Sequence, residues 1–128
     1  MPDYDDMRFD PPAPVAQVIV RNPDTGDSVR GITMLLDSGA DVTLIPRSAL
    51  NSLGIAPTTG QVYELMSFDG TISHLSVAYF DMVFLNRTIR GQFVLIDQEW
   101  GIIGRDVLNL VAILLDGPQQ TWIEQPHR

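Results

Sequence analysis

The sequence predicts a single all-β domain, closed or barrel-like, with one short helix towards its C-terminal end. Short runs rich in valine and isoleucine recur along the chain of 128 residues and are separated by turn residues. A convincing helical pattern occurs once, at residues 105–110. The apolar fraction of 45% is enough to fill one core. Together these observations favour one compact β domain.

The domain is predicted to span residues 15–125, after an N-terminal tail. Residues 1–14 mix charged side chains with four prolines and follow neither the helical nor the strand period. Such a composition is typical of a flexible or extended segment, so residues 1–14 are predicted to be a flexible N-terminal tail.

The strands are predicted in pairs joined by turns. Each pair is bounded by residues with strong turn propensity such as Asn, Asp and Gly, and a weak helical turn at 47–53 interrupts the series. The predicted pairs are 15–21 with 28–36, 61–67 with 71–78, 77–85 with 88–96, and 110–115 with 120–124.

Composition argues against several classes of function. The chain has no cysteine, and His74 and His127 lie too far apart in sequence for a metal-ligand spacing, so no metal and no cofactor are expected. The formal charge of -8 argues against nucleic acid or an anionic membrane as a partner.

The sequence pattern does not indicate export. The first residues are acidic where a signal peptide would be basic, and no apolar segment follows them. The longest apolar run, 110–115, is six residues long, far below the ~20 that a membrane-spanning helix needs. A cytoplasmic location is therefore expected.

One stretch, residues 34–43, carries the chemistry. An apolar strand delivers Asp37 into a tight turn, where Ser38 offers a hydroxyl and Gly39 lets backbone amides approach the carboxylate. Burial disfavours a charged carboxylate, so its neighbours must compensate. Asp24-Thr25-Gly26 has a similar tripeptide but sits in a polar turn. Asp37 is therefore the catalytic candidate, the alternative being a solvated Asp in a β-turn.

Two motifs together resemble the retropepsins, the retroviral-type aspartic proteases. The apolar residues before Asp37-Ser38-Gly39-Ala40-Asp41 are similar to the active-site signature of that family. More than 60 residues later, Ile102-Ile103-Gly104-Arg105-Asp106 resembles its second signature, a hydrophobic pair followed by Gly-Arg-Asn or Gly-Arg-Asp. Two motifs in the expected order are more specific than either alone.

The resemblance implies a closed retropepsin-like barrel that is active as a symmetric homodimer and cleaves a peptide or protein substrate. Aspartic-protease chemistry needs two carboxylates that share one proton, and this chain offers one suitable Asp. Two copies of Asp37 would therefore meet across a two-fold axis. The implied catalytic residues are Asp37, Ser38 and Gly39.

The resemblance also implies a substrate cleft and its supports. The hairpin 61–78 takes the place of the family's flap, which folds over the substrate. Gly104 and Arg105 are structural supports, with Arg105 forming a buried pair with Asp41. Residues implied to bind substrate are Ala40, Asp41, Val42, Leu44, Met66, Phe68, Gly70 and Ile102.

Other interpretations stay open at this point. A retropepsin-fold module could bind peptides or dimerise without efficient turnover, and the hairpin 61–78 could be an ordinary surface hairpin. An unrelated small β-barrel with chance motifs is a third alternative. A hydrolase based on Ser38 is a fourth, although no histidine lies near Ser38 in sequence.

Overall fold

The computed structural model describes residues 3–126, so His127 lies outside the described residues. A 3-10 helix, Arg47–Leu50, and one α-helix, α1 (Arg105–Leu108), accompany the strands. No helix in this described part of the chain has the length and apolarity to cross a membrane. The strands are β1 (Tyr4–Asp5), β2 (Ala13–Arg21), β3 (Ser28–Leu36), β4 (Leu44–Pro46), β5 (Val62–Met66), β6 (Ile72–Phe84), β7 (Arg87–Ile96), β8 (Gly101–Ile103), β9 (Ile113–Asp116) and β10 (Thr121–Glu124).

Eight strands form one sheet that closes on itself. Their order is β1-β2-β3-β8-β4-β7-β6-β5, and β2 pairs a second time with β6. This additional pairing joins six of the strands, from β2 round to β6, into a ring, which satisfies the strand edges that an open sheet would leave unpaired. The prediction of a closed all-β domain with one short helix is confirmed.

The predicted strand pairs are all present, with shifted ends. β6 is one strand of 13 residues that covers two predicted segments, because residues 72–76 pair with β5 and residues 77–84 continue along β7. The predicted helix 105–110 ends at Leu108, because Asn109 is its C-terminal cap and the chain then turns towards β9.

The N-terminal segment differs from the predicted tail. Tyr4 and Asp5 form a strand paired with Ala13 and Pro14, so β2 begins two residues earlier than predicted. The Tyr4 N–H also donates to the Gln120 carbonyl, at 3.0 Å. These partners are distant in sequence, so no local periodicity could indicate them. Proline is compatible with an edge position of this kind.

Alternating side chains of β2 and β6 form the centre of the core. Val18, Val20, Phe80 and Met82 are fully buried, as expected for strands with one face towards the interior. The rings of Phe80 and Phe93 stack with their centroids 4.9 Å apart. Because successive side chains point to opposite faces, the remaining residues of the same strands lie on the outside of the ring.

Asp81 lies on that outward face of β6 and is nevertheless fully buried. It pairs across the β2–β6 seam with Arg21 (Nη2 to Oδ2, 3.2 Å) and across the β6–β7 ladder with Arg90 (Nε to Oδ1, 2.7 Å). The hydrogen bond from Arg90, helped by Arg21, lowers the pKa of Asp81 although burial opposes this. The hydrogen bond to Asp81 in turn raises the pKa of Arg90. An ionic cluster of Asp81, Arg21 and Arg90 therefore lies at the β2–β6 pairing that closes the ring.

We expect Asp81→Asn to lower the free energy of unfolding by about 2–3 kcal/mol at neutral pH, because two arginines lose their carboxylate. Because the folded-state pKa is lowered, this stabilisation is complete above the ordinary Asp pKa of about 3.9 and is lost as pH falls through the folded value. Urea unfolding at several pH values measures the difference between wild type and variant.

Asp97→Asn is the matched control for this measurement. Asp97 pairs with Arg47 at 2.9 Å but its side chain is 81% exposed, so removing its charge should cost under about 1 kcal/mol. Equal losses for the two variants, or a difference for Asp81→Asn that grows below pH 4, would contradict the prediction.

Candidate active site

The Asp37 carboxylate is held by its own turn at the end of β3. The Asp37 N–H donates to the Ile103 carbonyl of β8 at 3.0 Å, and the Ala40 N–H donates to the Asp37 carbonyl at 3.2 Å. The Gly39 N–H donates to Asp37 Oδ1 at 2.9 Å. A Cβ added at Gly39 would lie 3.2 Å from the same oxygen. Glycine therefore lets the backbone approach the half-buried carboxylate, as the sequence predicts.

Gly104 lies where the chain entering α1 crosses this turn. A Cβ at Gly104 would stand 2.5 Å from the Val42 carbonyl oxygen and 3.0 Å from that of Ala40. No side chain fits there without moving the turn, which is the crowding that the sequence indicates. The next residue, Arg105, donates its backbone N–H to the Ala40 carbonyl at 2.9 Å.

Arg105 braces the turn from the solvent side. Its Nη1 donates to the Ser38 carbonyl at 2.8 Å, and its Nη2 pairs with Asp41. The prediction that this pair is buried is wrong: the side chains of Arg105 and Asp41 are 46% and 76% exposed. The reason is that α1 begins at the surface, so the guanidinium lies over the turn. Solvent screening then makes the ion pair weak, and the bond to Ser38 is its more specific contact.

Thr43 and Asp106 form a hydrogen-bonded cluster beneath the turn that the sequence analysis missed. Thr43 Oγ1 donates to Asp106 Oδ1 at 2.7 Å and accepts from the Gly104 N–H at 3.1 Å. The Thr43 N–H donates to Asp106 Oδ2, also at 3.1 Å. Thr43 is only 1% exposed. A lone hydroxyl residue inside the apolar run after Asp41 was the signal that could have identified it.

An open groove of about 460 Å³ lies beside the turn and under the β5–β6 hairpin. The structure thus brings together most of the predicted substrate-binding residues, and it adds three that were not predicted. The predicted residues on the groove are Gly39, Ala40, Asp41, Val42, Leu44, Met66 and Phe68, and the additional ones are Tyr63, Leu65 and Ser67.

Four of the predicted catalytic and substrate-binding residues lie outside the groove lining. Asp37 and Ser38 directly precede Gly39, which lines the groove. Ile102 packs beside Leu44 in a small apolar cluster, because β8 pairs with β4 in the sheet. Gly70 belongs to the hairpin turn.

The tip of the β5–β6 hairpin is a tight turn with an exposed aromatic ring. The Ser67 N–H donates to the Thr71 carbonyl at 2.9 Å, and Gly70 has a positive φ of 86° that suits glycine. The backbone N–H of Thr71 donates to Asp69 Oδ1, which lowers the pKa of Asp69. The Phe68 side chain is fully exposed. Hydrogen bonds thus order the tip, which contains one glycine.

Metal-ligand clusters, histidines and other cavities are the features that could indicate a different chemistry. No group of three His, Asp or Glu side chains among residues 3–126 is arranged to hold a metal ion. His74 lies on the hairpin opposite Glu64, with Nδ1 4.0 Å from Oε1. A second cavity of about 430 Å³, lined mainly by residues of β2, β6 and β10, shares no residue with the groove.

We expect Thr43→Val to destabilise the domain by about 1–3 kcal/mol, because it keeps the shape but removes the hydroxyl that bonds to Asp106 Oδ1 and to the Gly104 N–H. Urea unfolding measures this loss. Thr33→Val is the control, since the Thr33 hydroxyl bonds only to Gln17 in an exposed pair and should matter by less than about 0.5 kcal/mol. Equal effects would contradict a supporting role for Thr43.

Comparison with known proteins identifies the fold. No protein-family model and no curated protein matches the chain. Among solved structures, the EIAV protease in complex with the inhibitor HBY-793 aligns with a TM-score of 0.53 and 21% identity, over 76% of this chain and 86% of that one. The foamy viral protease–reverse transcriptase aligns with a TM-score of 0.51 and 18% identity, over 89% of this chain but 13% of that one. The chain therefore has the retropepsin-like fold that its two motifs indicate.

Proposed function

We propose that the protein is an aspartic endopeptidase that works as a symmetric homodimer. The observation that carries this proposal is the turn of Asp37 in a retropepsin-like fold: the Gly39 N–H holds the carboxylate, and Gly39 lines an apolar groove. One chain supplies one such carboxylate. Two copies of the turn across a two-fold axis would supply the pair that the chemistry needs.

In this mechanism the two Asp37 carboxylates share one proton. The ionised carboxylate acts as general base towards a water molecule, and the protonated one donates to the carbonyl of the scissile peptide and stabilises the developing negative charge. The two ionisations belong to the pair rather than to either residue. Ala40 contributes no hydroxyl that would stabilise the charged form, so the expected optimum is mildly acidic.

The neighbouring residues would position the pair and the substrate. Ser38, exposed beside the carboxylate, would hydrogen-bond to the turn of the other copy, while its carbonyl is already held by Arg105. Gly39 would accept a hydrogen bond from the substrate backbone through its carbonyl oxygen. The two roles together would keep the carboxylates and the scissile bond in a fixed geometry.

The groove determines which substrates fit. Val42, Leu44, Leu65 and Met66 present apolar side chains to it, so apolar residues on either side of the scissile bond should be preferred. The β5–β6 hairpin would act as a flap that excludes water during the reaction. Closing would also bury Met66 and Phe68, which are exposed in the free chain.

We expect Asp37→Asn to abolish cleavage of a mixed peptide library, with a fall in rate of about 1,000-fold or more, because the variant loses the general base. Product formation is measured by mass spectrometry from about pH 4 to 7, with and without a statine-type transition-state analogue. Asp24→Asn, in the similar tripeptide Asp24-Thr25-Gly26, is the matched control and should cleave normally.

Two outcomes would count against the enzyme. Cleavage that persists in Asp37→Asn would show that residues other than Asp37 carry the activity. A wild-type protein that is folded and dimeric but cleaves nothing would favour the second candidate, a module that binds peptides without turnover. The exposed Met66 and Phe68 at the groove favour that alternative, since exposed apolar side chains beside a groove suit peptide binding.

A further inference from the structure

A gap in the closed ring exposes the backbone of Gln17 to the second cavity. Val15 donates its N–H to the Asp3 carbonyl at 3.3 Å, on the side of β2 that faces away from β3. Alternate residues of a strand bond towards the same side, so the N–H and C=O of Gln17 point that way as well. Ile19 pairs there with Val83. In the described part of the chain, no strand pairs with Gln17 on this side.

The gap exists because β6 turns away before it reaches Gln17. Antiparallel pairing continued from Val83 would set Leu85 opposite Gln17. Leu85 and Asn86 instead have positive φ angles of 51° and 62° and form the tight turn into β7. The gap is therefore bounded by Asp3 at one end and by the last residues of β6 at the other.

The walls of the cavity are apolar and held in place. The Trp122 side chain is buried, and its indole N–H donates to the Val15 carbonyl at 2.8 Å. Its ring stacks on that of Phe84 with the centroids 6.4 Å apart, and Leu85 completes this wall. The volume of about 430 Å³ lies within the range of about 300–1,000 Å³ that is usual for ligand sites. A preformed cavity of this size suits an apolar side chain together with its backbone.

The charges at the cavity are complementary to a cation. Asp3 lines it with an exposed carboxylate that forms no ion pair with the other described residues. Arg87 donates to the Leu85 carbonyl at 3.4 Å, but its charge is offset by Glu124 at 2.7 Å. The chain carries a formal charge of -8, so its overall field attracts a cation and repels an anion.

The gap admits the end of a chain rather than a continuous strand. A strand running along β2 would collide with the segments that already bond to Val15 and Ile19. A peptide that reaches Gln17 must therefore end inside the gap. An amino end matches the charge of the site, whereas a carboxylate end would face Asp3.

We propose that this cavity binds the amino-terminal residue of a peptide when that residue has an apolar side chain. The C=O of the ligand residue would accept the Gln17 N–H, and its α-ammonium would donate to the Gln17 C=O and face Asp3. Its side chain would pack against Trp122 and Leu85. Capture of a peptide amino end by backbone groups is a known mode of recognition.

The proposed cleavage would generate ligands of this class. Hydrolysis between two apolar residues releases a fragment whose new amino-terminal residue is apolar. The source of the ligand thus rests on the proposed function, whereas the site itself does not. The cavity shares no residue with the groove, so it would hold this product apart from the catalytic turn.

The indole N–H signals of the two tryptophans test binding at this cavity. In two-dimensional proton–nitrogen NMR, titration with the tripeptide Leu-Gly-Gly should shift the signal of Trp122, which bonds beside the cavity. The signal of Trp100, which packs against Phe9, should stay in place. The Asp37→Asn protein is used, because it lacks the proposed general base and leaves the probe intact. Acetylation of the probe's amino group should weaken binding about 10-fold, since it removes the charge.

Substitutions at Asp3 and Gln17 test the two polar contacts. Asp3→Asn should weaken Leu-Gly-Gly binding about 3-fold or more, while Asp6→Asn removes the same charge from an exposed residue outside the cavity and should leave binding unchanged. Gln17→Pro removes the backbone N–H and should weaken binding about 10-fold. Gln17→Ala is its control, because it keeps the N–H and also loses the side-chain contact with Thr33. Circular dichroism confirms that the variants are folded.

The outcomes separate this inference from the proposed function. A shift at Trp122 that weakens in Asp3→Asn and Gln17→Pro would support the site even if the wild-type protein cleaves nothing. A Trp122 signal that does not move at millimolar Leu-Gly-Gly, or equal affinity for the acetylated peptide, would overturn the site. Cleavage that depends on Asp37 would in that case still support the protease.

Discussion

The structure of the candidate site depends on one close approach, that of Gly104 to the carbonyl of Val42. The chain carrying β8 and α1 can cross the Asp37 turn only because residue 104 has no side chain. That crossing brings Asp106 within reach of Thr43 and Arg105 within reach of the Ser38 carbonyl. Two segments more than 60 residues apart in sequence thus fix the turn that holds the carboxylate.

The sequence predicted the strands and the turn around Asp37 because both are encoded locally. Alternating apolar runs define strands, and Asp-Ser-Gly after a buried strand defines the turn. The burial of the Arg105 pair was predicted wrongly, because burial depends on which side of the turn the helix lies. The strand at Tyr4 and Asp5 was missed because its stability comes from β2 and from Gln120.

The ionic cluster at Asp81 is a second feature that a sequence pattern does not predict. In β6 the residue occupies an outward position, where a charged side chain is normally solvated. Only the β2–β6 pairing brings Arg21 against it, and that pairing is the one that closes the ring. A sequence shows the acid and the two arginines, but their meeting is a property of the closed topology.

The continuity of β6 has a mechanical consequence. The same strand forms one arm of the hairpin over the groove and one wall of the closed ring, with the change of partner between Ser76 and Val77. Motion of the hairpin must therefore be taken up at this junction, because the ladder with β7 and the arginines at Asp81 anchor the rest of the strand. The hairpin is thus joined to a part of the wall that the β6–β7 ladder and the ion pairs of Asp81 hold in place.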